Sequence, residues 1–139
     1  QDVNRTDLSA FARNGGKILM AHGTSDQLVS TRATAEYYER VRRDMGPGKT
    51  KHFLRYYEIP GYGHAASTVF NAAWDSLSAL EDWVEQGRAP RRQIVADSVG
   101  VPGRTRPLCE YPGWPKYVGK GDVNAASSFV CVKSRRGTR

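Results

Sequence analysis

Two polar loops carry the side chains of this sequence that are best suited to catalysis. Residues 22–29 read His-Gly-Thr-Ser-Asp-Gln-Leu-Val and contain Asp26, and residues 60–64 read Pro-Gly-Tyr-Gly-His and end at His64. An imidazole can act as general base on a serine hydroxyl, while a carboxylate fixes the imidazole tautomer and stabilises the imidazolium that forms. An Asp followed later by a His is also the order of the last two members of one known type of catalytic triad.

Each of these residues also has a plainer interpretation. Asp26 alone could be a turn residue that bonds its own backbone, and His64 alone could be an ordinary loop histidine. Because each follows its own predicted strand, and catalytic groups gather beyond the carboxyl ends of strands in open α/β sheets, we expect the two to form a catalytic pair. His22, at a strand end before Gly23, is expected to be structural, and His52 to be exposed.

The elements that position these loops alternate between strand and helix. A compact apolar run at residues 17–21 and an aromatic-rich run at residues 53–59 predict two strands, preceded by a short helix over residues 7–14. Apolar residues at helical spacing predict a helix that Ser30 or Thr31 caps, and another over about 74–86. The expected buried faces are Ala33, Tyr37, Val41 and Met45 on the former and Leu77, Leu80, Trp83 and Val84 on the latter.

Strand, helix, strand, helix is a βαβα unit, which implies an α/β fold with a parallel sheet. Two parallel strands need cover on both faces, so the sequence is interpreted as the last part of a larger sheet with one hydrophobic edge left unpaired. Residues 1–90 are expected to be the C-terminal part of an α/β-hydrolase catalytic domain. Residues 91–139, rich in Pro and Gly, are expected to form an irregular wrapping tail with a basic C-terminus.

The nucleophile is missing from this pattern. No Gly-x-Ser-x-Gly motif occurs in the 139 residues, and the serines fall in predicted turns, caps or helices. In the hydrolase order the Ser precedes the Asp, and only 25 residues precede Asp26. We therefore expect the Ser upstream, outside this chain, and expect the chain alone to be inactive. A first residue that is Gln1 rather than Met agrees with a processed product or a fragment.

Composition excludes several classes of protein. With 39% apolar and 10% aromatic residues, the chain can build a core, and it has no apolar run of about 20 residues that would cross a membrane. The net charge of +7 invites a nucleic-acid hypothesis. Intermixed acidic residues and the absence of a known nucleic-acid motif argue against it, and the basic end, Lys133, Arg135, Arg136 and Arg139, is typical of a disordered tail.

The two cysteines, Cys109 and Cys131, are too few for a thiolate metal site and too far apart for a redox Cys-x-x-Cys pair. They are either two unrelated buried thiols or one disulfide. The disulfide is favoured because the Pro- and Gly-rich segment between them has little local structure, and closing the loop would contribute roughly 3 kcal/mol. A disulfide indicates an oxidising compartment.

Over residues 7–131 the sequence resembles the C-terminal segment of the tannase and feruloyl esterase family of serine hydrolases. His-Gly-x-x-Asp is shared by many α/β hydrolases, whereas the blocks Trp-Val-Glu-x-Gly-x-Ala-Pro and Arg-Pro-Leu-Cys are more specific. The matching blocks are residues 7–11, 15–17, 22–26, 37–38, 60–64, 83–90, 106–109, 117–122 and 129–131.

The resemblance implies that Asp26 is the triad acid, that His64 is the triad base and that Cys109 pairs with Cys131. It places the nucleophile, a lid domain and a lid calcium ion upstream, so no cofactor is expected in this segment. It also implies a small aromatic ester of feruloyl or galloyl type as substrate, the upstream part of the same protein as partner, and a secreted or periplasmic location.

The sequence departs from the family at two positions. The family usually has a Cys after the catalytic His, bridged to a Cys before the nucleophile, whereas this chain has Ala65. That bridge cannot form here, so packing must hold the base and the nucleophile together. Glu110 replaces the Pro that is common after Arg-Pro-Leu-Cys.

Two other functions stay open from the residues. The Asp and His loops are shared across the hydrolase fold, so a peptidase-like activity is one alternative. The other is a non-catalytic domain whose basic tail binds polyanions.

Overall fold

A computed structural model describes residues 3–65 and 69–133 of the chain. Helices and strands alternate in its first part, and short strands dominate its last third. The helices are α1 Ser9–Arg13, α2 Thr31–Met45, α3 Pro47–Thr50 and α4 Ser76–Gln86, with a 3₁₀ turn at Ala126–Ser128. The strands are β1 Ile18–Gly23, β2 Leu54–Ile59, β3 Ala72–Ala73, β4 Ile94–Asp97, β5 Thr105–Pro107, β6 Gly113–Tyr117 and β7 Phe129–Lys133.

Strands β1 and β2 form the parallel pair that positions the candidate site. Their register runs from Ile18 opposite Leu54 to Gly23 opposite Ile59, so both strands end at the same level. Helix α2 makes the crossover between them, as the sequence predicts. Within the described ranges β1 pairs with β2 alone.

Helix α2 begins and ends where its sequence predicts. The Ser30 hydroxyl caps the N-terminus by accepting from the Ala33 N–H at 3.3 Å, and Gly46 ends the helix with φ 84°. The buried face is Ala35, Tyr38 and Val41. The predicted stripe is therefore wrong at Ala33, which is exposed, whereas Tyr37 and Met45 are partly buried and pack against the buried residues. Tyr37 lies at the edge of the buried face, where its hydroxyl donates to the Arg5 carbonyl at 3.0 Å.

Strand β2 is covered on both faces: five of its six residues are buried, and Arg55 is partly exposed. Alternate side chains enter two separate clusters. Leu54 and Tyr56 pack with Tyr38 and Val41 of α2 in the first cluster. Tyr57 and Ile59 enter the second cluster, with Phe70, Val95 and Leu108. Burying each such side chain contributes about 1.5–3 kcal/mol, so β2 is the centre of the fold.

Helix α4 starts later than predicted and buries less. Asp75 caps it, and Trp74 lies before its first turn. Trp83 is 3% exposed, but Leu77 and Val84 are 66% and 55% exposed, so the predicted apolar face is wrong at these two positions. A 3.6-residue period identifies an apolar stripe but does not show which part of it another element covers.

The segment after residue 90 is more regular than the sequence predicts. Strands β4 and β5 of this segment form one antiparallel sheet with the earlier strand β3, and β6 pairs with β7 in another. The expectation of an irregular tail is therefore wrong: each strand has five residues or fewer, too short to show a period. The basic residues beyond Lys133 lie outside the described residues.

The last third is attached to β2 next to its disulfide. Cys109 and Cys131 form the disulfide that the sequence favours. Glu110 forms an isolated antiparallel β-bridge with Tyr57, and the Tyr111 N–H donates to the Tyr56 carbonyl at 2.8 Å. Because Cys131 is on β7, the disulfide joins the β6–β7 hairpin to the segment that follows β5.

Within residues 3–65 and 69–133, no helix has the length and apolar character that a membrane crossing requires.

Candidate active site

The two polar loops meet at the carboxyl ends of β1 and β2. Gly23 and Ile59 are register partners, so the loops that follow them start side by side. The Thr24 N–H donates to the Ile59 carbonyl at 3.0 Å, and the Ser25 N–H donates to the Tyr62 carbonyl at 2.9 Å. The Thr24 hydroxyl accepts from the Gly61 N–H at 3.0 Å. These three bonds hold the loop with Asp26 against the loop with His64.

Gly23 is needed for this close approach. A Cβ at this position would overlap the carbonyl oxygen of Tyr62 and lie 2.7 Å from that of Gly63. Only a residue without a side chain lets the backbones of the two loops come this near, which is a common reason for glycine at functional sites. The glycine in His-Gly-x-x-Asp therefore has a steric role.

The carboxylate of Asp26 and the imidazole of His64 lie within hydrogen-bond distance. Oδ2 of Asp26 is 3.0 Å from Nδ1 of His64. The Asp26 side chain is 4% exposed, whereas that of His64 is 51% exposed. A deprotonated carboxylate can only accept, so Nδ1 carries the proton and Nε2 of the neutral ring keeps a lone pair. That arrangement suits a general base that takes a proton at Nε2.

Asp26 is ionised because its environment favours the charged form. The hydrogen bond from the Val29 N–H lowers its pKa most, and burial of the carboxylate acts in the opposite direction. Further bonds from the Leu28 N–H, His64 and His22 bring the pKa well below its ordinary value. Oδ1 accepts from the N–H groups of Leu28 and Val29 at 2.8 and 2.9 Å. The loop's own backbone therefore stabilises the charge.

His22 contacts the same carboxylate, a role that the sequence interpretation did not assign to it. Its Nε2 lies 3.0 Å from Asp26 Oδ2, and its Nδ1 lies 2.8 Å from the hydroxyl oxygen of Thr34. The four-residue spacing from His22 to Asp26 across a tight turn is the sequence signal that could have indicated the contact. Thr34 gave no such signal, because it comes near only when α2 packs on β1.

An open cavity of about 270 Å³ lies at this end of the strands. Asp26 and His64 line it together with the apolar side chains of Val29, Ile59 and Tyr62. In the part of the chain that the structure describes, no serine lines it. Ser67, near His64 in the sequence, lies outside the described residues.

The site shows no metal-ligand group. Among residues 3–65 and 69–133, no three His, Cys, Asp or Glu side chains are grouped so that they could hold a metal ion. The chemistry available at this site is acid–base chemistry between a carboxylate and an imidazole.

Comparisons with known proteins relate the chain to esterases. A family model described as "Tannase and feruloyl esterase" matches residues 1–132. The chain is 45% identical over 132 residues to an uncharacterized esterase of Agrobacterium fabrum, covering 94% of this chain and 24% of that protein. It is 44% identical to mono(2-hydroxyethyl) terephthalate hydrolase of Piscinibacter sakaiensis, and the match covers 91% of this chain and 21% of that protein. The crystal structure of feruloyl esterase B from Aspergillus oryzae matches with TM-score 0.83 and 30% identity, and the match covers 92% of this chain and 29% of that one. The chain thus spans about a quarter of the length of these relatives.

Proposed function

Because the chain belongs to the tannase and feruloyl esterase family, we propose that it supplies the acid and the base of a Ser-His-Asp triad in a carboxylic-ester hydrolase. Asp26 is the acid and His64 is the base. The observation that carries the proposal is the 3.0 Å contact between Asp26 Oδ2 and His64 Nδ1 at the shared end of two parallel strands. An ionised carboxylate on Nδ1 leaves Nε2 available to a nucleophile.

The serine belongs to a part of the polypeptide upstream of this chain. Residues 1–90 then form the C-terminal part of an α/β-hydrolase domain, with β1 and β2 as the last strands of its parallel sheet. Ala21 and Gly23 of β1 line the cavity, so a neighbouring strand and its nucleophile loop would approach the site from that side. Residues 91–133 contact β2 through the hydrogen bond from the Tyr111 N–H to the Tyr56 carbonyl, and the Cys109–Cys131 disulfide joins two parts of this segment to each other.

In this mechanism the serine Oγ attacks the ester carbonyl carbon, and its proton passes to Nε2 of His64. Collapse of the tetrahedral intermediate breaks the ester C–O bond, and the leaving alkoxide takes the proton from Nε2. Water then attacks the acyl-enzyme and gives a proton to Nε2, which returns it to the serine as the acid leaves. Asp26 stays ionised throughout and stabilises the imidazolium that forms twice in each cycle.

The proposed substrate is a small aromatic ester of feruloyl or galloyl type. The names of two relatives support this class, since mono(2-hydroxyethyl) terephthalate and feruloyl groups are both aromatic. The apolar side chains of Val29, Ile59 and Tyr62 beside the catalytic pair are compatible with an aromatic ring. We also propose a secreted or periplasmic location, because a disulfide persists in an oxidising compartment.

The test uses the polypeptide that contains this chain together with the nucleophile. Asp26→Asn and His64→Ala are each expected to lower kcat on a methyl hydroxycinnamate by about 10³–10⁴-fold, because an incomplete triad keeps only a residual rate. His52→Ala is the matched control, since His52 is exposed and its contact with Lys17 uses its backbone oxygen. Full activity in Asp26→Asn would overturn the triad.

Two further arms of the experiment test the substrate and the place of the nucleophile. Aromatic esters are expected to turn over much faster than peptide amides, and the opposite order would point to a peptidase. Residues 1–139 alone are expected to show no turnover, and measurable hydrolysis by this chain would contradict an upstream serine.

A further inference from the structure

Asp26 accepts hydrogen bonds from two imidazoles through one oxygen atom. His22 Nε2 and His64 Nδ1 each lie 3.0 Å from Oδ2. Since the carboxylate is ionised and has no proton to donate, both rings must present an N–H to it. His22 is therefore a donor to the same atom that orients the proposed catalytic base.

His22 is itself held by two regular elements. It is the second-last residue of β1, and its side chain is 11% exposed. Its Nδ1 lies 2.8 Å from the hydroxyl oxygen of Thr34, in the first turn of α2. The Thr31 hydroxyl also donates to the Gly23 carbonyl at 2.6 Å, which fixes the start of α2 to the end of β1. A neutral ring with its proton on Nε2 satisfies both contacts, because Nδ1 then accepts from Thr34.

The two oxygens of Asp26 are thus held in different ways. Oδ1 accepts from Leu28 and Val29, which belong to the same loop as Asp26 and move with it. Oδ2 accepts from His22, which belongs to the sheet. A carboxylate whose contacts all lie within one loop would move with that loop. The contact with His22 instead fixes the position of the Asp26 carboxylate relative to β1.

We propose that His22 is a positioning residue for the catalytic acid, and that Thr34 holds the His22 ring in place by donating its hydroxyl to Nδ1. The chain of contacts runs from Thr34 to His22 to Asp26 to His64, so α2 and β1 determine where the Asp26 carboxylate meets the base. This inference rests on the proposed triad and adds two residues to it. Besides Asp26, one other ionisable residue neighbours His22 in the two-stranded sheet: the buried Glu58, its register partner on β2.

The variants that test this are His22→Leu and His22→Gln in the polypeptide that contains the nucleophile. Gln places an N–H₂ where His has Nε2, so it keeps the donor to Asp26, whereas Leu removes it. We expect His22→Leu to lower kcat between tenfold and a hundredfold, as for the loss of a hydrogen bond to a charged group. KM should stay within twofold, and His22→Gln should recover most of kcat.

A second pair of variants tests the Thr34 contact with less disturbance of the packing. Thr34→Val keeps the shape but removes the hydroxyl, and Thr34→Ser keeps the hydroxyl. We expect about a threefold lower kcat for Thr34→Val and parent activity for Thr34→Ser. In ¹⁵N-labelled protein, the Nδ1–H resonance of His64 should broaden in His22→Leu and stay sharp in His22→Gln.

Each outcome decides the proposal. Parent kcat in His22→Leu, or equal losses in the Leu and Gln variants, would overturn it, because a purely structural role gives no rescue by a retained donor. If His22→Leu does not fold, parent activity in Thr34→Val together with an unchanged His64 resonance would overturn it. Full activity in Asp26→Asn would instead remove the triad, and the role of His22 would fall with it.

Discussion

Replacing Gly23 by alanine is expected to separate the two loops that carry Asp26 and His64. A Cβ at residue 23 would lie 2.7 Å from the Gly63 carbonyl oxygen and would overlap that of Tyr62. Carbon–oxygen contacts begin near 3.3 Å, so the loop with His64 must retreat by about 0.6 Å at Gly63 and by more at Tyr62. The atoms that the new Cβ would meet are backbone carbonyl oxygens, so no side-chain rotation can relieve the overlap.

With His64 as the proposed base, the retreat should act directly on kcat, because His64 follows Gly63 in the chain. Displacing a reacting group by about 1 Å costs about 10²-fold in rate, so kcat for Gly23→Ala should fall between tenfold and a hundredfold. The hydrogen bond from the Ser25 N–H to the Tyr62 carbonyl would lengthen as well. Overpacking of this kind lowers the free energy of unfolding by about 1–3 kcal/mol.

The assay measures kcat on an aromatic ester and the urea midpoint of the same preparation. Gly48→Ala is the matched control, because Gly48 lies in α3 and a Cβ there meets nothing within 4 Å. That variant should keep kcat and be as stable as the parent or slightly more stable, since alanine is favoured over glycine in a helix. Parent kcat and stability in Gly23→Ala would refute the steric role of Gly23.

Two predictions concern the last third of the chain. Removing the disulfide by Cys109→Ser with Cys131→Ser should lower the free energy of unfolding by roughly 3 kcal/mol, with kcat within twofold; an unchanged urea midpoint would contradict this. Burial of Asp97 acts to raise its pKa, but three backbone N–H groups and Arg104 outweigh it and hold the pKa below its ordinary value. Asp97 therefore stabilises the fold above its unfolded pKa of about 3.9, and this contribution is lost as the pH falls below that value. Asp97→Asn should be less stable than the parent at pH 7, with a gap in urea midpoint that narrows toward pH 2; a constant gap would contradict this.

The parts of the fold that the sequence predicts are those with a local signal. The β1–α2–β2 unit is visible because a compact apolar run, a capped amphipathic helix and an aromatic-rich run follow one another within residues 17–59. Parallel strands with one crossover helix end at the same edge of a sheet, and from this follows the expectation that Asp26 and His64 lie close together. Their 3.0 Å contact agrees with that expectation.

The parts that sequence reasoning missed depend on contacts distant in the chain. The strands after residue 90 contain five residues or fewer, and their pairing partners define them more than any period does. The face of α4 was misjudged at Leu77 and Val84 because periodicity does not say what covers a stripe. His22 needs Thr34 of α2 before its role is visible, and a strand-end histidine considered alone does not indicate that contact.

Stability and the proposed catalysis are expected to depend on different residues of the same strands. The interior of β2 carries Tyr56 and Tyr57 into two hydrophobic clusters, whereas the candidate site begins only where the strand ends at Ile59. Substitutions in the clusters should therefore lower stability before they change kcat. Substitutions in the loops should lower kcat by more than the accompanying loss of stability explains, because the loops carry Asp26 and His64 and little apolar burial is lost there. A loss of kcat larger than the loss of stability explains is thus the expected signature of residues that hold Asp26 and His64 together.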